Sequence, residues 1–541
     1  ARTSELLLFF IAMSNIDPIE LEIFTNLFTS ITGEMGAVFQ RAAGSSNLQE
    51  RCDYSCAVLD RNCRIIAMDA HLPIHLGAMT LSVKEAATLL NLLPGDVAVL
   101  NDPFSGGTHP QGMTMVTALF PSNQKNPDYY AAVRTHYHDT GGLPPVSVPL
   151  NTETFQEGII VPPIKLYAAG NLNRTLLQMI LFNSGIPRKA EADLAVQLAA
   201  LRLGEKRISG MIVEYGADIV GSYSGALMNR AENILKRTIA SIPDGSYTAE
   251  DSLDDDGIDP SAKSQSLPIK VAVTVKGSDL TVDFTGSALQ TAGSLNTVMA
   301  VTSSSVHYVL NCLRPQGEYL NCSLPQSVKI IAPEGSILNA SFPAATAGGF
   351  LETSQRIVDV LLKALSAALP DLIPAAGGGT SNSVAIMGIN SSTGRHFSYH
   401  ETIGSGNGGG PLEPGLNGCQ VHLANSCNTS IEILENALPF RIGEYRLRRK
   451  SGGTGKNPGG DGIIRSYEAV DPDTQVKILS DRRKNSPYGL KSGRIGKKGV
   501  DTLVPAKGAK RKLKAKDAVI LDSGDRVVVE TPGGGGWGKS R

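Results

Sequence analysis

Helical and strand-like periodicities alternate irregularly along this chain, and its last third becomes glycine-dense with only short strand-like runs. Asp17-Pro18, followed by apolar residues Ile19, Leu21, Ile23, Phe24, Leu27, Phe28 and Ile31, combines a capping side chain, a proline in the first turn and helical spacing. An amphipathic helix therefore opens the chain and ends by Gly44 at the latest. Residues 55–59 and 65–68 flank Asp60 to Arg64 as a hairpin, and residues 96–100 after the Pro94-Gly95 turn form a strand. Residues 130–133 form another. Residues 189–235, rich in Ala, Leu, Glu and Arg without proline, predict one or two long helices; residues 269–284 return to strand and 357–369 to helix. Beyond residue 400 glycine clusters take over, with short strand-like runs after Lys477. No repeat period stands out, which disfavours solenoids and propellers. The pattern predicts an α+β, multi-domain chain with mixed β-sheets, glycine-rich loops and a small C-terminal β-rich region. Its divisions are a tag-like or disordered extension over 1–16, a metal-site domain over 17–245, a central α+β domain over 246–400 and a glycine-rich β region over 401–541.

Composition excludes several function classes. With 41% hydrophobic and 19% charged residues and a net charge of −1, the chain carries no electrostatic footprint for nucleic acid. The lysine-rich stretch from Lys497 to Lys516 reads as a solvated surface. Seven cysteines without a C-x-x-C pair argue against a disulfide framework or zinc ribbon and favour a reducing, cytoplasmic setting. Cys52, Cys56 and Cys63 read as small buried hydrophobes. The apolar run Leu6 to Ala12 behind Arg2 is too short to span a bilayer, and it reads as a tag or upstream extension before a native start at Met13. No membrane anchor is expected.

Chemistry concentrates in two loops, Asn101-Asp102-Pro103-Phe104-Ser105-Gly106-Gly107-Thr108-His109 and Thr135-His136-Tyr137-His138-Asp139-Thr140-Gly141-Gly142. Imidazole and carboxylate together hold borderline divalent metals, and the glycines let the backbone turn tightly enough to aim both inward. Five of the nine histidines fall between His71 and His138, and Glu50 and Asp53 lie just upstream. His109, His136 and Asp139 read as ligands of one site; His71 and His75 are either further ligands or hydrogen-bonded core residues. A Walker-type pattern, Gly533 to Ser540, lacks the helix that would aim its amides at phosphate, since only Arg541 follows. The G-x-G-x-x-G at Gly404, Gly406 and Gly409 runs into Pro411 instead of a helix. The C-terminal glycine clusters read either as turns and subunit contacts or as lining of a substrate channel.

Taken together, Glu50-Arg51-x-Asp53-Tyr54-Ser55, Pro73-Ile74-His75-Leu76-Gly77-Ala78-Met79, the two loops, Phe155-Gln156-Glu157-Gly158, Gly408-Gly409-Gly410, Ser451-Gly452-Gly453-Thr454-Gly455 and Thr531-Pro532-Gly533-Gly534-Gly535-Gly536-Trp537-Gly538 resemble the hydantoinase B family over about residues 17–538. That family groups the B subunits of ATP-dependent hydantoinases and caprolactamase, the matching part of 5-oxoprolinase, and subunits of acetone and acetophenone carboxylases. The resemblance implies a B-type subunit of an ATP-dependent cyclic amide hydrolase. A separate A-type subunit, carrying ATP and magnesium, phosphorylates a carbonyl oxygen of a small cyclic amide, and a metal-bound water on the B-type chain hydrolyses the product. It further implies a hetero-oligomer, a divalent metal (zinc, manganese or iron) on Asp53, His109, His136 and Asp139, and proton transfer or orientation of the histidines by Glu50, His138 and Glu157. Alternative roles are a ketone carboxylase subunit or a scaffold for the A-type chain. One departure stands out: relatives commonly carry an acid three residues after the loop histidine, whereas this chain has Gly112.

Overall fold

The computed structural model describes residues 16–121, 125–137, 140–142, 150–258, 266–315 and 323–540. The 1–16 extension read from the sequence lies, but for Ile16, outside them, as do His138, Asp139 and Cys322. Helix α1 (Pro18–Ala42) starts where Asp17 accepts hydrogen bonds from the amides of Ile19 and Glu20, at 2.7 and 3.4 Å. It buries Phe24, Phe28, Ile31, Met35 and Phe39 on one stripe.

That stripe covers a seven-stranded antiparallel sheet ordered β2-β1-β5-β4-β3-β6-β7. Its strands are β1 (Tyr54–Asp60), β2 (Ile65–Asp69), β3 (Val97–Leu100), β4 (Gly112–Leu119), β5 (Tyr129–His136), β6 (Ile164–Ala168) and β7 (Asn171–Leu172). Strand β1 is buried throughout because both sheet faces are covered. Alternate residues point to opposite faces, so Cys56 and Val58 join α1 and the long helices α3 (Pro187–Tyr215) and α4 (Ala217–Ala240). Ala57 and Leu59 pack instead with Met79 and Val83 of α2 (Leu76–Leu90). The sequence placed the second loop after Val133. The ladder in fact carries β5 through His136, whose pairing partner is Gly112.

The central unit packs α5 (Met299–Cys312), the short α6 (Ala347–Leu351) and α7 (Thr353–Leu365) with a four-stranded sheet, β11-β10-β9-β8. Its strands are β8 (Gly245–Leu253), β9 (Leu267–Lys276), β10 (Asp279–Asp283) and β11 (Val328–Ile331). Two further sheets, β13-β12-β16-β19 and β14-β15-β20-β17-β18, bury Val384, Ile386, Ile463, Val476, Val527 and Val529 in a common core. Their strands are β12 (Ser383–Asn390), β13 (Arg395–Thr402), β14 (Phe440–Arg448), β15 (Gly462–Ala469), β16 (Thr474–Leu479), β17 (Val500–Val504), β18 (Arg511–Lys512), β19 (Lys516–Leu521) and β20 (Arg526–Glu530). The division expected at residue 400 falls inside β13. Because β12 pairs with both β13 and β16, the C-terminal unit reaches back to Ser383.

The glycine clusters pack backbone against backbone. The amides of Gly409, Gly453 and Gly536 donate to the carbonyls of Gly535, Gly534 and Arg494, each at 2.8 Å, so glycine-bearing segments lie side by side with no room for side chains. A methyl group on Gly408 would overlap the Ala375 carbonyl oxygen. The constraint there is space, since Gly408 has no positive φ. Gly408→Ala is therefore expected to destabilise the chain by about 2 kcal/mol or more, through backbone displacement. Urea unfolding checks it, and an unchanged midpoint would show that the segments separate freely.

Of the lysine-rich stretch, Lys497, Lys498, Lys507, Lys510, Lys512 and Lys514 are exposed as expected. Lys516 departs from that reading: it is buried and its Nζ meets Asp481 at 3.0 Å. Cys56 and Cys63 are buried, matching their reading as hydrophobes, whereas Cys52 is half-buried and its Sγ accepts from Gln40 Nε2 at 3.6 Å.

Candidate functional site

Three neighbouring strand ends bring the site together. Asp53 immediately precedes β1, His136 ends β5, and His109 sits in the turn that enters β4 at Gly112. The His136 amide donates to the Asp53 carbonyl at 3.1 Å, and the Gly112 amide donates to the His109 carbonyl at 3.0 Å. Cys52, just before Asp53, holds φ at 55°, in the left-handed region where non-glycine residues are uncommon. Asn47 locks the pair by donating from Nδ2 to the His136 carbonyl at 2.8 Å.

The side chains of Asp53 and His136 face a buried cavity of about 40 Å³. Arg51, Leu72 and Ile74 line it from the N-terminal unit, and further walls come from distant parts of the chain: Phe350 of α6, Gln355 of α7, His400 of β13, and Ser426. Asp53 Oδ1 and His136 Nε2 are buried without a hydrogen-bond partner, and such orphans call for an explanation by a ligand, ion or water. His136 Nδ1 lies 3.0 Å from His109 Nε2, and His109 Nδ1 lies 2.9 Å from Thr108 Oγ1. In the tautomer where His136 Nδ1–H donates to His109 and His109 Nδ1–H donates to Thr108, His136 Nε2 offers its lone pair to the cavity. Phe350 stacks on the His109 ring, centroids 3.9 Å apart, and holds this relay against the central unit.

Burial governs the ionisation of the site. It lowers His136 to about 3, helped by the Arg51 and Arg134 guanidinium groups, so the ring is neutral at physiological pH. Burial likewise raises Asp53 to about 6, against the opposing pull of Arg51, Asn47 and Arg134.

The sequence-derived candidates do not all converge. Asp53, His109 and His136 come together, but both ring nitrogens of His109 are engaged, so it can join a ligand set only by giving up a bond. Glu50 is half-buried at the end of the turn Ser46–Gln49 and does not line the cavity. Glu157 is fully buried, yet its carboxylate accepts from the Thr346 and Ala347 amides at 2.9 Å each, capping α6 rather than facing the cavity. Burial outweighs those two donors and lifts its carboxyl to about 8. His138 and Asp139 lie outside the described residues. His75 Nδ1 meets Ser55 Oγ at 2.9 Å and His71 Nε2 meets Asp69 at 3.1 Å; neither lines the cavity. Among the described residues, no cluster of three or more His, Cys, Asp or Glu side chains forms a metal cage. Asp53 Oδ1 and His136 Nε2 are the atoms there that fit an ion.

The absent acid at position 112 has a steric counterpart. A side chain on Gly112 would run into Arg134 Nη2 and come within 3.1 Å of His109 Cε1. Arg134, fully buried, occupies that space and donates to Thr108 and Thr114 hydroxyls. Sequence reading missed it, although strand alternation places it two residues before His136, on the same face of β5. Arg51, Phe350, Gln355 and His400 were missed as well. Arg51 sits two residues from Asp53, whereas the other three are separated from His136 by more than two hundred residues and carry no local signal.

This arrangement of sheets is a fold already seen in a solved structure. The ATP-dependent caprolactamase from Pseudomonas jessenii superposes with a TM-score of 0.88 over 97% of this chain and 92% of that one, at 23% identity. The chain belongs to the Hydantoinase B/oxoprolinase family, whose model matches residues 17–540. An uncharacterized protein of Methanocaldococcus jannaschii is 37% identical over 97% of this chain and 91% of its own length. 5-oxoprolinase 1 of Arabidopsis thaliana is 32% identical over 97% of this chain, which spans only 42% of that longer protein. Among the described residues, no helix is long and apolar enough to cross a membrane.

Proposed function

We propose that this chain is the B-type subunit of an ATP-dependent cyclic amide hydrolase, acting on a hydantoin, lactam or 5-oxoproline-like ring. An A-type partner would phosphorylate the ring carbonyl, and this chain would complete the hydrolysis in a hetero-oligomer. Family membership supports the reading, as does the fact that the chain spans 42% of Arabidopsis 5-oxoprolinase 1, which leaves more than half of that protein's length outside the match, where an A-type portion would lie. The single observation that carries it is the pair of buried, unpartnered atoms, Asp53 Oδ1 and His136 Nε2, on one cavity.

Asp53 and His136 would hold a divalent metal, zinc, manganese or iron, with Asp139 outside the described residues as a further ligand. Such an ion supplies Lewis acidity and lowers the pKa of water from about 15.7 towards 7. The chain's own contribution is preorganisation. His109 fixes the His136 ring, Thr108 fixes His109, and Phe350 stacks on His109 at the cavity wall.

The test combines the purified chain with an A-type subunit, ATP, magnesium and candidate rings. Ring opening coupled to ATP consumption, without any need for bicarbonate, is the expected result. A product carrying a carboxyl group derived from bicarbonate would sink the hydrolase reading. Elemental analysis of the wild-type chain should find about one metal per chain, lost in Asp53→Asn.

A further inference from the structure

Arg51 has no part in the function proposed above, yet it lines the same cavity and is only 2% exposed. Its Nη1 donates to the His400 carbonyl at 2.6 Å and its Nη2 reaches Ser426 Oγ at 3.4 Å, while Nε is buried without a partner. Among the described residues no carboxylate lies within ion-pair distance of it; every other fully buried arginine except Arg134 has one. Guanidinium groups stay protonated and are rarely buried unpaired. Arg134 repeats the pattern: among the described residues its hydrogen bonds go to the hydroxyls of Thr108, Thr114 and Ser82. The cavity wall itself holds Arg51 and one carboxylate, Asp53; the Thr402 and Ser426 hydroxyls in it bond each other at 2.8 Å, while Ser354 and Ser381 donate to the Phe350 and Leu351 carbonyls.

A buried guanidinium with an unpartnered Nε, beside the Thr402–Ser426 hydroxyl pair, suits an oxyanion. Size points the same way: 40 Å³ holds about three water-sized groups at roughly 10–15 Å³ each, enough for the oxygens of a small anion but not for a substituted ring. We propose that Arg51 is the oxyanion contact of this cavity, binding a phosphate-type or carboxylate-type group while the ring stays outside. The inference rests on the hydrolase reading only for what the anion would be in turnover, namely the phosphoryl group of the activated ring. The binding itself needs neither a partner subunit nor turnover.

Isothermal titration calorimetry of the full chain with inorganic phosphate, and separately with bicarbonate, each against chloride at equal ionic strength, tests it. Wild type is expected to bind phosphate, with affinity falling about tenfold or more in Arg51→Met, which keeps the length and removes the charge. Arg51→Lys, which keeps the charge and loses the planar fork, should lie between them. Binding of bicarbonate but not phosphate, equally dependent on Arg51, would keep the oxyanion site and assign it to a carboxyl group. No binding beyond the chloride control in wild type overturns the proposal whether or not the variants fold, as does equal binding by folded Arg51→Met. Ring opening that persists without phosphate or bicarbonate binding would leave the hydrolase reading standing and remove this one alone.

Discussion

Replacing His136 with alanine is expected to lower ATP-dependent ring opening by about 10²- to 10⁴-fold, the range over which a positioned catalytic group contributes. The loss should come without unfolding. His136 Nε2 has no partner to lose, and removing the ring forfeits one hydrogen bond to His109, worth about 1 kcal/mol. His136→Asn sharpens the test, because its carboxamide can still reach His109 from roughly the place of Nδ1 but presents nothing where Nε2 stood. If Nε2 is the working atom, the asparagine variant fails as badly as alanine. Should it retain activity within tenfold of wild type, His136 serves only to hold His109, and the cavity-facing role is wrong. Steady-state kinetics with saturating A-type partner decides between these outcomes, with thermal unfolding run on each variant.

Much of the N-terminal half of this site was legible because the chemistry coincides with local pattern. The strand ending at Leu100 and the helix capped by Asp17 follow from periodicity and capping, and histidines beside double glycines mark a turn that presents side chains. Carboxylates were harder to place. Glu157 looks like a proton-transfer group in sequence, but whether an acid faces a cavity or caps a helix depends on α6, nearly two hundred residues away. The glycine clusters were ambiguous for a related reason. Turn glycines are chosen for positive φ, whereas Gly408 and its neighbours are chosen because another backbone lies against them, and only the folded arrangement shows that second backbone. Phe350, Gln355 and His400 complete the cavity from the other two units, so no window of sequence could associate them with His136.

Arg356→Met is expected to cost about 3–5 kcal/mol of stability, the range for removing one member of a buried ion-pair set. Arg356 of α7 is fully buried and meets Asp251 of β8 at 3.1 Å, Asp481 at 2.9 Å and Asp359 at 3.7 Å. Arg482 meets Asp251 at 2.8 Å and Asp359 at 2.6 Å, and Lys516 meets Asp481 at 3.0 Å. Three cations thus balance three carboxylates between the central unit and the C-terminal sheets. Methionine preserves length and apolar volume, so the loss isolates the charge: three carboxylates would remain against two cations, away from water. Arg356→Lys restores the charge without the fork that spans Asp251 and Asp481, and should recover only part of the deficit. Urea unfolding measures both; a deficit below about 1 kcal/mol for the methionine variant would mean that water enters and solvates the freed acids. The network also reaches the site. Gln355 and Phe350 wall the cavity from α7 and α6, so loosening the junction should reduce ring opening even in buffer where the variant remains folded. Activity that stays at the wild-type level in a destabilised but folded variant would show that the cavity is held by the N-terminal sheet alone.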